Sequence, residues 1–365
     1  MEKNIPKHRL AERKIRETIS NLDIDDRIPG ERVIAKNLGI SYMTIRKAVE
    51  NLVEEGVLYK LPKKGTFVAD PKKSRRKTKN IGYFLDSSIK DGLSSPYYSM
   101  IFDALEKSAQ EHGYGLMYFS NISDTDLHNK LNKIDGAIIS CFPRVESIVD
   151  EIREKVHVVC IDNSSANKAI PSVVIDNFNA VVESVNYLCS LGHDRIGFIT
   201  GLADSDVGRN RLAGYLNALQ RNGISQSDEL IFRGDYSFQT GIDGAEHLIS
   251  QSAVPTAIVC ANDTMAVGVI KKLSKEGISV PDEISVIGFD DIQIASHMTP
   301  ALTTLSAPIG GIARHAVDML QTMMSGGNME NRHIILPGRL MIRDTCAPVR
   351  NHYDGTTEAR DAGHN

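Results

Sequence analysis

Several familiar signals are missing from this 365-residue chain. No run of about 18 apolar residues occurs, so no membrane-spanning helix is expected. The opening MEKNIPKHRLAERK has no apolar stretch of the kind a secretory leader carries, so a cytoplasmic protein is expected. Five cysteines stand at Cys141, Cys160, Cys189, Cys260 and Cys346, none spaced as a C-x-x-C pair. Most lie in apolar runs such as HVVCID and AIVCAN, where a small buried thiol in a reducing compartment is the simplest reading. There is no G-x-S-x-G elbow, phosphate loop or H-E-x-x-H helix. GYG at 113–115 and GG at 310–311 are too short to claim a nucleotide loop. His193, in LGHDRI, has no metal-spaced Cys, His or carboxylate cluster around it and reads as structural. Neither an enzyme nor a cofactor or metal is expected.

What is present is divided. At about 150 residues per domain the length allows two or three domains, and 41% apolar residues suffice for a sizeable core. The net charge of -4 conceals two opposed parts. Residues 1–80 hold 20 Lys and Arg against 11 Asp and Glu, a net of +9; residues 81–365 carry -13. Such asymmetry suggests that one part meets a polyanion and the other does not.

The segment 1–70 reads as short helices followed by a hairpin. Leu10, Ile15, Ile19 and Leu22 lie near helical spacing, and Asp25, Asp26, Pro29 and Gly30 break the pattern. A second helix is expected over 31–37, ended by Gly39. Ser41 is placed to cap a third, whose Ile45, Val49 and Leu52 form one apolar stripe and which Gly56 stops. VLYKL and TFVA, separated by PKKG, make a two-stranded wing. The order is that of a winged helix-turn-helix. Six of the eight residues 72–79 are Lys or Arg, so 71–80 reads as a basic linker.

After Asn80 eight short apolar runs alternate with helical patterns: IGYFLD, GLMYFS, GAIIS, HVVCID, SVVIDN, RIGFIT, TAIVCAN and ISVIGFD. Continuous apolar strands alternating with helices imply parallel sheets covered on both faces. The length of 81–346 implies two α/β lobes, with ligand expected at the carboxyl ends of the strands, facing a shared cleft. Residues 347–365 read as a polar tail.

In a helix-turn-helix the third helix presents its early residues to base edges. The stripe turns Tyr42, Met43, Arg46 and Lys47 outward. Arg can grip a guanine edge with two hydrogen bonds, and Tyr and Met can meet a thymine methyl. Ser41 and Thr44 can bond phosphate or cap the helix. Lys63, Lys64 and Gly65 stand at the wing tip, and Lys72–Lys79 adds salt-sensitive attraction. The stretch IPGERVIAKNLGISYMTIRKAVENLVEEGVLYKLPKKGTFV resembles the DNA-binding domain of the GntR family, with its LPSE-R, VSR-x-TVR, LxxEGL and GxGTFV landmarks in order. The resemblance implies DNA contacts at Arg32, Arg46 and Gly65. Gly30 replaces the usual Ser, and Tyr42 stands where Arg is common, which removes one expected guanine contact.

Residues 81–346 resemble the effector-binding domain of the LacI/GalR repressors, itself similar to periplasmic sugar-binding proteins. The motifs are SLGHDRIGFITG, RNRLAGYLNAL, TAIVCANDTMAVGVI, VPDEISVIGFDD and PALTTLSAPIGGIARHAVDML. The hinge helix that usually precedes this domain is absent and the basic linker takes its place, as in GntR–LacI chimeras of the arabinose-repressor type. Reading a sugar needs planar, paired hydrogen-bonding groups beside a flat apolar wall. The residues at hand are Asp86, Asp162, Asn262, Asp263, Asp290 and Asp291 at strand ends, with Arg211 on a helix. The resemblance assigns ligand contact to Arg211, Asn262, Asp290 and Tyr236; Asp86, Asp162, Tyr97 and Tyr98 match less closely. An Asp after a strand also commonly caps the next helix, so Asp162, Asp263 and Asp291 equally read as caps.

The expected protein is a ligand-responsive regulator, a repressor of carbohydrate-utilisation genes, whose sensor domains form a homodimer that presents two winged helices to double-stranded operator DNA. The resemblance implies a sugar effector that releases the operator; a non-sugar effector or a corepressor-type response is the alternative. A secreted sugar-binding transport protein would not need the basic first segment, and a sugar-processing enzyme would need an acid–base pair with a nucleophile or metal.

Overall fold

A computed structural model describes residues 7–70, 77–85, 89, 91–120, 124–140, 146–165 and 167–349. Most of the basic linker, Asp86, Cys141 and the tail beyond 349 lie outside the described residues.

The first segment builds three helices, α1 (Lys7–Ile19), α2 (Glu31–Leu38) and α3 (Tyr42–Glu54), then strands β1 (Leu58–Leu61) and β2 (Gly65–Val68). Gly39 ends α2 in the left-handed region at φ 64, returning its N–H to the Ala35 carbonyl. Ser41 caps α3 by accepting from the Thr44 N–H at 3.2 Å. The stripe on α3 is fully buried and joins Ala11, Ile15 and Ile19 of α1, Ile34 of α2 and Leu58 of β1 in one core. Truncating such a side chain to Ala typically costs about 2–5 kcal/mol. Leu22 lies beyond the end of α1 and packs on this core from outside the helix. β1 and β2 are antiparallel from Leu58↔Val68 to Leu61↔Gly65, and the Tyr59 and Phe67 rings stack at 5.4 Å.

The remaining elements, in chain order, are β3 (Asn80–Leu85), α4 (Pro96–Glu111), β4 (Gly115–Ser120), α5 (Asp124–Leu131), β5 (Gly136–Ser140), α6 (Glu146–Lys155), β6 (His157–Ile161), β7 (Ser172–Ile175), α7 (Asn177–Ser190), β8 (Ile196–Ile199), α8 (Asp206–Arg221), β9 (Ile231–Phe232), α9 (Phe238–Ile249), β10 (Ala257–Cys260), α10 (Asp263–Lys275), β11 (Ser285–Asp290), α11 (Gln293–His297), β12 (Thr303–Ser306), α12 (Ile309–Met324), β13 (His333–Leu336) and β14 (Arg339–Met341). All eight apolar runs form strands. All but β4 are buried along most of their length, which is why they read as continuous rather than alternating.

The chain divides into two compact units, one gathering the described residues within 1–92, 103–172 and 313–332, the other those within 93–102, 173–312 and 333–365. In the first, parallel strands run in the order β6-β5-β3-β4. In the second, the order is β14-β12-β11-β10-β8-β9; every neighbour pair of known direction is parallel except β12 with β14, which is antiparallel. The helices of the second unit approach closely. A Cβ at Gly214 of α8 would stand 2.4 Å from the Phe178 carbonyl oxygen of α7, and one at Gly241 of α9 would stand 2.1 Å from that of Met265 in α10. Only glycine fits where backbone meets backbone at this distance.

In the first unit the chain enters β3 past Asp135. Its carboxylate accepts from the Thr78 N–H and hydroxyl and from the Lys79 N–H, while its own N–H bonds the Asn80 carbonyl at 2.7 Å.

Candidate DNA-reading face and effector pocket

The outward face of α3 carries the expected side chains. Tyr42 and Met43 are 38% and 67% exposed, and Arg46 and Lys47 are exposed beside them. Arg46 is not idle: its Nε donates to Glu50 Oε1 at 3.0 Å along the helix, and this pairing holds its pKa above the ordinary arginine value. The Arg32 guanidinium lies 5.9 Å from the centroid of the Tyr42 ring. Thr44 shares a 2.8 Å hydroxyl contact with Ser41, so both serve the helix cap. The wing turn comprises Pro62, exposed Lys63 in the left-handed region (φ 65) and exposed Lys64. Gly65 falls in β2 rather than in the turn. Its φ of +126 excludes most side chains, and a Cβ there would meet the Arg27 Nε at 2.7 Å; a local reason for glycine therefore stands beside the one the resemblance implies.

In the second unit, neighbouring strands β8, β10 and β11 end close together, and their carboxyl ends gather most of the expected effector residues. Arg211 projects from α8, whose cap Ser205 accepts from the Gly208 N–H at 3.0 Å. The Arg211 side chain is 5% exposed and Asp290 8%, with Nη2 and Oδ1 3.9 Å apart. Arg211 Nε donates to Asn177 Oδ1 at 2.8 Å, and Nη1 donates to the Ala261 carbonyl. The guanidinium carbon lies 3.5 Å from the Phe289 ring centroid. A buried cation is tolerable only with such partners. Asn177, Ala261 and Phe289 were not anticipated from sequence: Asn177 opens a different helix, the Ala261 group is backbone, and Phe289 reads as one more apolar strand residue.

Asn262 caps α10. Its Oδ1 accepts from the Met265 N–H at 2.9 Å and its Nδ2 donates to the Tyr236 carbonyl at 3.0 Å. The Tyr236 backbone is left-handed, at φ 70. Its ring lies over Gly201 just past β8, where a Cβ would stand 1.9 Å from the ring.

The cap reading of Asp263 and Asp291 is corrected here. The cap is Asn262, one residue earlier, which leaves Asp263 wholly buried. Asp263 accepts from the Ile292 N–H at 2.8 Å and from the Thr304 hydroxyl. Burial pushes its carboxyl up to about 7, against the hydrogen bonds that favour its charged form. Asp291 pairs with Arg343 at 2.6 Å, and α11 is capped by Ile292 without a side-chain bond. Asp290 and Asp291 both have positive φ, 112 and 62, a conformation costly for non-glycine residues. Asp263 thus grips the turn that follows the strained pair.

The first unit has its own strand-end group, described separately. Tyr83 of β3 and Ser140 of β5 share a buried 2.8 Å hydroxyl contact. Asp162, past β6, is buried with φ 66, and its charge helps hold the Tyr83 hydroxyl above the ordinary tyrosine range, after burial itself. Among the described residues no helix follows Asp162 before β7, so the cap reading of Asp162 is corrected too. Tyr97 and Tyr98, which belong to the second unit, meet edge to face at 5.2 Å on the first turn of α4, both half-buried. His193 bridges Thr256 at 2.9 Å, Ser285 at 3.1 Å and the Ala347 carbonyl at 3.1 Å, a structural tie to the segment after β14. Among the described residues no group of three or more His, Cys, Asp or Glu is placed to hold a metal ion. No helix among them is long and apolar enough to cross a membrane.

Residues 8–68 match the gntR family of bacterial regulatory proteins, and residues 185–346 match the periplasmic binding protein-like domain family. The transcriptional repressor CytR of Escherichia coli K12 is 32% identical over 263 residues, 69% of this chain and 76% of that protein. The transcriptional repressor PurR of Salmonella paratyphi B is 30% identical over 286 residues, 75% of this chain and 82% of that protein. A crystal structure of the lac repressor dimer bound to operator and an anti-inducer superposes with a TM-score of 0.65 at 26% identity, covering 74% of this chain and 95% of that one.

Proposed function

The chain belongs to the LacI-type transcriptional repressors, with a gntR-type DNA-binding domain at its front, and from that premise we propose that it represses carbohydrate-utilisation genes until a sugar releases it from its operator. It is a DNA-binding regulator, not an enzyme. It acts on double-stranded DNA as a homodimer in the cytoplasm. The reader makes its contacts through Arg32, Ser41, Tyr42, Thr44, Arg46, Lys47, Lys64 and Gly65. The effector is met by Arg211, Tyr236, Asn262 and Asp290 of the second unit.

One observation carries the effector reading. Arg211 is a nearly fully buried cation that spends two of its nitrogens on Asn177 and Ala261, rests its flat face on Phe289 and leaves Nη2 turned toward a buried carboxylate 3.9 Å away. A planar donor and a carboxylate acceptor at strand ends can hold neighbouring hydroxyls, which both donate and accept. The Tyr236 ring supplies an apolar wall. The effector shifts operator affinity only by its differential affinity for two states of the protein.

The test combines a thermal-shift panel of mono- and oligosaccharides with an operator-shift assay on fragments flanking the gene. A sugar that stabilises the folded protein and weakens operator binding supports the proposal. A sugar that strengthens operator binding reverses the sign of the response. No sequence-specific binding to any DNA sinks the proposal.

A further inference from the structure

Two arginines of the reader differ in what already holds them. Arg46 is engaged by the Glu50 carboxylate at 3.0 Å. Among the described residues Arg32 has no hydrogen-bond or ion-pair partner; what it has is the face of Tyr42, 5.9 Å from guanidinium to ring centroid. Arg32 is the second residue of α2 and Tyr42 the first of α3, so the pair spans the turn of the helix-turn-helix. Both are exposed, and Met43, next to Tyr42 in α3, is the most exposed large apolar side chain of the reader.

Resting on the DNA-reading proposal, we propose that Arg32 and Tyr42 act as one unit that reads a guanine together with a nearby thymine. A guanidinium on an aromatic face keeps its donor fork free while losing orientational freedom in advance. That fork matches the O6 and N7 acceptors of guanine, and the ring edge with Met43 matches the C5 methyl of thymine. The guanidinium and the ring centroid stand 5.9 Å apart, so one docked reader presents the fork and the ring edge to neighbouring positions of the same groove. Tyr42 is then the positioning residue for guanine recognition by Arg32, and Arg46, already paired, is secondary at that base.

The experiment selects duplexes from a random library with the full-length protein, free of effector. The expected half-site contains a guanine with a thymine nearby. Tyr42→Ala lowers the preference for that guanine about tenfold or more, although Arg32 is intact, and also loses the thymine. Tyr42→Phe keeps both, since the ring remains. Arg32→Lys lowers the preference for the guanine and keeps the thymine, because an ammonium lacks the planar fork that the ring orients. A half-site without this pair of bases, undiminished guanine preference in Tyr42→Ala, or loss of guanine in Tyr42→Phe overturns the unit while leaving DNA reading in place. Failure to enrich any sequence sinks the DNA-reading proposal itself. Both positions are exposed, and the two conservative variants keep the test meaningful if Tyr42→Ala weakens the fold.

Discussion

Asp135 and Thr78 are 57 positions apart and joined twice, the carboxylate taking the Thr78 N–H at 2.7 Å and its hydroxyl at 2.9 Å. With the Lys79 N–H added at 2.8 Å, one side chain fixes where the chain leaves the reader's tether and enters the first sheet. Asp135→Ala should leave three donors unmet and cost about 2 kcal/mol, read by urea unfolding. Amide exchange at Thr78 and Lys79 should quicken by tenfold or more. Unchanged protection at those two amides would show that the carboxylate anchors nothing.

Arg211→Met should remove a buried cation and leave Asp290 without it. Breaking one side of such a pair typically costs about 3–5 kcal/mol, here read as a lower unfolding midpoint. Arg211→Lys should fold better and still fail to show the sugar-induced thermal shift, since an ammonium cannot reach Asn177, the Ala261 carbonyl and Asp290 from one planar group. A full thermal shift in Arg211→Lys counts against its role in the effector pocket.

The Asp263 carboxyl stands at about 7 in the folded chain against an ordinary value of 3.8. Its folded value is raised, so between those values the folded state holds a proton that the unfolded chain has lost. The stability this contributes is fully present below about pH 4 and is lost as pH rises through about 7, with a slope of up to about 1.4 kcal/mol per pH unit. Asp263→Asn should flatten that slope. Denaturation midpoints from pH 5 to 8 that fall equally in both proteins would show that Asp263 is not responsible.

His193 shifts the other way. Burial holds its ring below the ordinary histidine value of 6.5, outweighing the bond to the Ala347 carbonyl. Protonation is easier in the unfolded chain, so the contribution is present above about pH 6.5 and is lost as pH falls below it. His193→Ala should lower stability at pH 7.5 by about 1–3 kcal/mol through the partners it abandons. The deficit relative to wild type should shrink toward pH 5. A deficit that grows on acidification would reverse the assignment.

The helices of the reader and the eight apolar runs were legible because each pattern is local: a stripe at helical spacing, or a short continuous apolar run. The missed strands lacked that signal. β9 has two residues. β12 is TTLS, whose buried threonines are satisfied from afar by Thr345 and Asp263. β13 and β14 are short, and β14 runs against its neighbour. Among the proposed effector residues, motif position pointed to Arg211, Asn262 and Asp290, yet it could not tell which of Asn262 and Asp263 faces the helix N-terminus and which the core. A one-residue difference in phase decides that, and only packing sets the phase. Asp135 sits in LNKIDGAIIS with no local mark, because both its partners lie far off in the chain.

The glycines between helices have a mechanical corollary. Where Gly214 meets Phe178 and Gly241 meets Met265, there is no compliant layer of side chains to absorb a push. Each pair, α7 with α8 and α9 with α10, is therefore spliced like a laminated beam. A displacement at the Arg211 end of α8 should therefore carry α7 with it. A single methyl group at 214 or 241 would pry the laminae apart by about 1 Å and turn a stiff member into two loose rods.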